Sequence, residues 1–300
     1  MIVSATGRAA IGAQETPLKI AAIRFLNPAP LMWDFEHEPH KSELAARYSL
    51  EWMMPAQCAE RLALPADHPD AADIGLVPIA ALATNPGIKI IPGCAIASKG
   101  KIRSLLLVRR ASQPITDILT VAADTSSRAT LTYTQILFQL WENPFAEFFQ
   151  HRPDLDAMLE ECDAAILIGD PALFALEDRQ NREQRTGEKL IYHDLSEEWI
   201  KQTGVPWISA VWAVREGSLA AHRLTMTELA ADFTASRDRG LDNIEALVQE
   251  WSAKLPVPEE TIRTYLTSNI FYILDEECQK GLKTFYQLAA KYKILPKFTF

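Results

Sequence analysis

The sequence predicts an α/β protein of two lobes, with a ligand cleft between them and a helical C-terminal segment. Three observations carry this expectation. Short apolar runs alternate with amphipathic helical patterns, the mark of a largely parallel sheet with crossover helices. The alternation is built twice, over 18–108 and again from Ile118 to about Leu195, and an apolar run at Trp207–Val214 then leads the chain back to the first unit. From Thr225 onward, apolar residues recur at three- and four-residue steps, the period of a helix face. A chain of 300 residues that is 48% apolar can fill two such cores. The expected division is a flexible tail over 1–17, a first lobe from 18–108 with 209–300, and a second lobe over 109–208.

In the first unit, Leu18–Phe25 reads as a buried strand that ends in the Pro-rich turn Leu26-Asn-Pro-Ala-Pro-Leu31, since proline cannot continue a central strand. Tyr48–Trp52 is a second strand. Pro55–Leu64 is a short helix opened by proline, whose fixed φ suits a first turn. Ala72–Pro78 is a third strand, followed by a helical turn around Ile79–Ala83. Ile88–Pro92 and Ile102–Val108 are further strands, and Pro114–Asp117 is a crossover. The second unit has strands at Ile118–Ala123, Glu147–Gln150 and Ala164–Ile168 and helices at Leu131–Trp141 and Leu155–Glu161. Glu177–Glu188, rich in charge, reads as a surface loop or helix end. In the tail, Leu229 and Phe233 belong to one helix and Ile244, Leu247, Val248 and Trp251 to the next, with Gly240 separating them. Leu282, Phe285, Leu288, Ala289 and Tyr292 stripe the last helix; such stripes face a core.

Composition narrows the function. A net charge of −9 argues against a nucleic-acid surface, which needs a basic footprint. The longest apolar stretches are of strand length, so no transmembrane helix is expected. Met1–Pro17 lacks an apolar core of secretory length, so a cytoplasmic location is expected. Cys58, Cys94, Cys162 and Cys278 are far apart and read as free thiols in a reducing compartment. His37-Glu-Pro-His40 is the one HxxH pair, and Pro39 opposes a helical pairing of its rings, so no zinc site is expected. GxSxG, P-loop and GxGxxG patterns are absent from the sequence, which leaves nucleophilic, phosphoryl-transfer and nicotinamide chemistry without support.

What remains points to a small anion. Asp124-Thr-Ser-Ser-Arg-Ala-Thr130 follows a strand and precedes a helix. Free N–H groups at such a helix terminus, with hydroxyls, form a site for a carboxylate. One hydroxyl suffices for a cap, so the side chains of Thr125, Ser126, Ser127 and Thr130 are an excess that carboxylate binding explains. Arg128 is placed to pair with a ligand carboxylate or with Asp170. Asp163-Ala-Ala-Ile-Leu-Ile-Gly-Asp170 is a buried strand whose polar tip, Gly169-Asp170, falls where ligands bind in open α/β sheets. Asp170 is the best-placed carboxylate for acid–base work, although Asp before Pro171 is also a natural helix start. Asn27, in the turn after the first strand, can donate and accept at the cleft; Asn before Pro also simply favours a turn. Ser104 lies near a strand leading to the second lobe, and Lys99, Lys101 and Arg103 beside it are expected to face solvent in part.

Five segments occur in order: Arg24–Leu31, Ala72–Pro78, Thr125–Arg128, Asp163–Asp170 and Asp194-Leu…Trp199…Thr203-Gly-Val-Pro-Trp-Ile-Ser-Ala-Val-Trp212. Together they resemble the chorismate dehydratase family of the futalosine route to menaquinone, over about 18 to 215 and more loosely through the tail. The resemblance implies a type II periplasmic-binding-protein-like fold used as a cytoplasmic enzyme with no metal or organic cofactor. The implied reaction is loss of water from chorismate to give 3-[(1-carboxyvinyl)oxy]benzoate. By position it implies Asn27 and Ser104 as active-site residues and 125–130 as the hydroxyl-rich substrate turn. Two departures stand out. Ala129 occupies a hydroxyl position of the family's Ser-Arg-Thr-Ser, and Lys99-Gly100 replaces a frequent acidic residue before glycine. Because few bases stand in these segments, the substrate's enolpyruvyl carboxylate is expected to take the C3 proton, with Asp170 as the rival base. The alternatives are a non-catalytic binding or sensor protein for a small carboxylate, and the related 1,4-dihydroxy-6-naphthoate synthase. Oligomeric state stays open.

Overall fold

The computed structural model describes residues 16–85, 87–124 and 128–298. Among the described residues, eleven strands form two sheets. The first contains β1 (Leu18–Ile23), β2 (Tyr48–Met53), β3 (Ile74–Pro78), β4 (Ile88–Ser98), β10 (Trp207–Arg215) and β11 (Phe271–Ile273), in the order β11-β4-β10-β3-β1-β2. The second contains β5 (Leu105–Arg110), β6 (Thr120–Asp124), β7 (Glu147–His151), β8 (Ala164–Ile168) and β9 (Leu190–Asp194), in the order β7-β6-β8-β5-β9. Central strands such as β3 are buried throughout, as expected when helices cover both faces of a sheet.

Both sheets are mixed rather than simply parallel. β1 runs parallel to β2 and β3, and β6 parallel to β7 and β8. In each sheet the strand by which the chain enters that lobe runs against its neighbours: β5 is antiparallel to β8 and β9, and β10 to β3 and β4; the edge strand β11 is reversed as well, antiparallel to β4. A strand arriving from the other lobe must run against strands that point toward it. This places β5 in the second sheet, so sheet membership changes between Ser98 and Leu105, not at 108/109. The return passage lies at 204–206, immediately before β10.

Several local readings need correction. β4 continues to Ser98, past Pro92 and Gly93. Gly93 takes φ +94°, and the pairing register with β10 shifts there, so the pair kinks the strand instead of ending it. Glu177–Glu188 mostly belongs to the helix Asp170–Thr186, closed by left-handed Gly187. The structure adds β9 and the helix Leu195–Thr203 to the expected elements, and β11 inside the helical tail. Gly240 does not separate two helices; it lies inside the helix Met226–Asp242, and Asn243 is the junction with Ile244–Ser252. A Cβ at Gly240 would stand 2.1 Å from the Pro30 carbonyl oxygen, so glycine lets this helix rest on the turn Ala29–Met32. Ser236 Oγ donates to the Leu31 carbonyl at 2.9 Å, and Arg239 grips the buried carboxylate of Asp34, Nε to Oδ1 at 2.7 Å. The tail thereby fastens the turn that carries Asn27. The expected N-terminal tail falls mostly in 1–15, outside the described residues; the Thr16 carbonyl accepts from His222 Nε2 at 2.9 Å.

Candidate functional site

A cleft of about 320 Å³ opens where the two sheets face each other. From the first sheet it takes Ile23 and the following Phe25 and Asn27, then Pro78, Ile96, Ser209 and Ala210. From the crossing and the second sheet it takes Ile102, Ser104, Leu105, Asp124, Thr130, Ile168, Gly169 and Asp170. Met54 and Pro55, at the start of the helix Pro55–Ala63, with Pro153 and Pro171, complete it. The wall is mostly apolar, with a few polar groups converging on it, the usual make-up of a small-molecule site. No Lys, Arg or His stands among its described lining residues.

Ser104 is 3% exposed and sits just before β5. Its Oγ accepts from Tyr265 Oη at 2.8 Å, and its carbonyl accepts from the Gly169 N–H at 2.7 Å. Tyr265 opens a π-helical turn, Tyr265–Asn269, and is buried; burial raises its phenol pKa well above the ordinary value, so it stays a donor at neutral pH. With one lone pair occupied by Tyr265, the Ser104 proton is free to point at a ligand.

The backbone bearing Ser104 is held by Asp194. This buried carboxylate accepts from Ile102 N at 3.2 Å, Arg103 N at 2.7 Å, and Ser196 N and Glu197 N, both at 3.1 Å. It caps the helix Leu195–Thr203 and ties the first crossing to it, stabilising the left-handed φ of 65° at Arg103. Burial raises the Asp194 pKa while the backbone bonds pull it down.

Asp170 is the first residue of its helix, after Gly169 at φ 68°. Its carboxyl makes no hydrogen bond or ion pair among the described residues, and burial raises its pKa. The Asn27 amide is half-buried in the cleft and likewise makes no hydrogen bond among the described residues.

The other expectations divide. Thr125, Ser126 and Ser127 lie outside the described residues. Thr130 lines the cleft. Arg128 begins the helix Arg128–Leu140 but is exposed and does not line the cleft. Ala129 is fully buried in the core and also absent from the lining, so a hydroxyl there would face core side chains. Lys99 binds Asp275 and Glu277 at 2.6 and 2.5 Å, and Arg103 binds Glu177 at 2.8 Å. His37 stacks on Trp33 and bonds Glu250, while His40 bonds Glu43; no metal-binding cluster occurs among the described residues. The four cysteines are buried and unpaired. Among the described residues, no helix is long and apolar enough to cross a membrane.

Sequence reasoning missed Tyr265, Asp194 and Ser209. Asp194 carried a readable signal, an Asp immediately before a helical pattern, and both it and Ser209 lie in the fifth ordered segment, where no role was read for either.

Residues 18–291 match a family model described as menaquinone biosynthesis. A chorismate dehydratase from Thermus thermophilus is 26% identical over 204 residues, which are 65% of this chain and 71% of that protein. A solved protein from Archaeoglobus fulgidus superposes with a TM-score of 0.68 at 15% identity, covering 93% of this chain and 98% of that one. The periplasmic aliphatic sulphonate binding protein of Escherichia coli gives 0.60 at 14% identity, with 94% of each chain covered. The alkanesulfonate-binding protein of Xanthomonas axonopodis pv. citri gives 0.62 at 14% identity, with 95% and 96% covered. These structural likenesses show a periplasmic-binding-protein-like fold, in keeping with the two-lobed expectation.

Proposed function

The chain belongs to the menaquinone biosynthesis family, and from that premise we propose that it is a chorismate dehydratase, releasing 3-[(1-carboxyvinyl)oxy]benzoate and water. The observation that carries this reading is the convergence of Asn27 and Ser104, from different lobes, on one largely apolar cleft. In chorismate the C3–H bond breaks, its electron pair becomes the C3–C4 π bond, and the C4–O bond breaks. The proton taken from C3 ends on the departing hydroxide, which leaves as water, and the ring becomes aromatic. The enzyme has only to orient the substrate, remove one proton and assist the leaving group.

The enolpyruvyl carboxylate, attached through the ether at C3, takes the C3 proton. Asn27 and Ser104 hold that carboxylate and the C4 hydroxyl in register. The Ser104 proton is presented because Tyr265 fills its acceptor side. The hydroxyls of Thr125, Ser126, Ser127 and Thr130 receive the ring carboxylate. Asp170 as base is the second reading, supported by its place in the cleft and by burial that raises its pKa.

The test is purified protein with chorismate, followed by absorbance and mass. Loss of one water with the aromatic product supports the reading. Tight binding without turnover replaces it with a solute-binding or sensing role. With turnover in hand, Asn27→Ala and Ser104→Ala variants of unchanged kcat/KM would sink the assigned roles.

A further inference from the structure

Ser209 is the extra residue of a β-bulge. Ile208 pairs with Ala97 and Ala210 with Ile96, so Ser209 has no partner on β4. A bulge redirects a side chain, and such features gather beside active sites. Ser209 lines the cleft at the sheet end where β1 and β3 finish, next to the paired residues Ala210 and Pro78. The bulge is locked from behind by Tyr133. Its Oη accepts the Ile208 N–H at 3.1 Å, and its ring stacks on Trp207 at 3.7 Å.

The Trp207 indole N–H donates to Ser209 Oγ at 2.8 Å. An indole N–H donates only, so it occupies a lone pair and leaves the Ser209 proton uncommitted. No acceptor takes that proton among the described residues. The arrangement repeats the one at Ser104: a buried aromatic donor to the hydroxyl of a serine that lines the cleft. Because no cationic side chain stands among the described lining residues, neutral donors must hold an anionic ligand there. We infer that Ser209 is a binding residue that donates its hydroxyl proton to one carboxylate of the substrate. This rests on the dehydratase reading for the identity of the dicarboxylate.

The test is calorimetric titration of the wild type, S209A and the near-isosteric pair S209T and S209V. The ligands are 3-[(1-carboxyvinyl)oxy]benzoate and its two monomethyl esters. S209A and S209V should bind the dicarboxylate about tenfold or more weakly, while S209T, which keeps the hydroxyl, stays within about threefold. The loss should vanish for one monoester, which names the carboxylate. Equal losses for all three ligands would mean a structural role and overturn the inference. So would S209A binding the dicarboxylate like the wild type while the wild type binds it well, and that outcome leaves the dehydratase reading standing. A wild type that binds none of the ligands overturns that reading and this inference with it.

Discussion

Tyr265→Phe isolates the device that aims Ser104. The substitution keeps the buried ring and removes one bond, Tyr265 Oη to Ser104 Oγ at 2.8 Å, between residues each 3% exposed. The cost in stability is that of one hydrogen bond, about 1 kcal/mol, or about 2 °C in melting temperature for a chain of this size. The effect on turnover has a separate origin. Freed of Tyr265, the Ser104 hydroxyl samples three staggered positions, of which about one presents its proton to the substrate. That dilution is worth roughly 0.7 kcal/mol, a fall in kcat/KM of about threefold. Ser104→Ala deletes the donor itself, and a bond to a charged acceptor is worth about 1.5–3 kcal/mol, or about 10- to 150-fold. If Tyr265 acts only through Ser104, the double variant is no worse than Ser104→Ala alone. Steady-state kinetics on the four proteins completes the cycle. Losses that multiply would refute the reasoning, because Tyr265 would then act on the substrate independently.

Asp170→Asn tests the base. Most of kcat/KM should survive if the substrate's own carboxylate takes the proton, whereas loss of a true general base costs about 10²- to 10⁴-fold. The same variant has a pH signature. Burial raises the Asp170 pKa, so its favourable contribution is complete below the unfolded value and is lost as pH rises through the folded one. Asp170→Asn should therefore raise the melting temperature at pH 7, and the gain should disappear in acid; a gain of equal size at both pH values contradicts the assignment. Ala129→Ser places a hydroxyl in a fully buried site and should cost about 1–3 kcal/mol in denaturant melts while leaving KM unchanged; a lower KM would mean that the side chain reaches the cleft. Gly240→Ala drives a methyl group against the Pro30 carbonyl and should cost about 1–3 kcal/mol, with a fall in kcat/KM because that turn carries Asn27; wild-type melting and kinetics would show the contact to be slack.

Strands and helices with strong local patterns were legible. Leu155–Glu161 and Ala164–Ile168 match residue for residue, since a buried run and a helical period are local facts. What failed depended on partners distant in sequence. Pro92-Gly93 looks like a strand end, yet pairing with β10 carries β4 through it. Gly240 looks like a separator until the Pro30 carbonyl beneath it is known. The site divides the same way. Asn27, Ser104 and Asp170 stand in recognisable segments and all line the cleft. Tyr265 comes from the helical tail, and nothing local marks it as the donor to Ser104. Ser209 sits in an apolar run, and only a register shift turns it toward the cleft.

Charge constrains the choice of base further. The described lining holds two carboxylates, Asp124 and Asp170, and no cationic side chain, within a chain of net charge −9. A dianion such as chorismate enters against an ionised Asp170 only at a Coulombic cost, which favours the protonated acid and adds to the effect of burial. On the proposed reading, substrate binding and Asp170 protonation therefore assist each other. Where it is protonated, Asp170 cannot take the C3 proton, but its O–H can hydrogen-bond the departing C4 oxygen. Asn at that position also donates and never ionises, which is why Asp170→Asn is expected to keep most activity and to lower KM at neutral pH. The enolpyruvyl carboxylate then remains as the base, and the cleft supplies neutral donors to aim it.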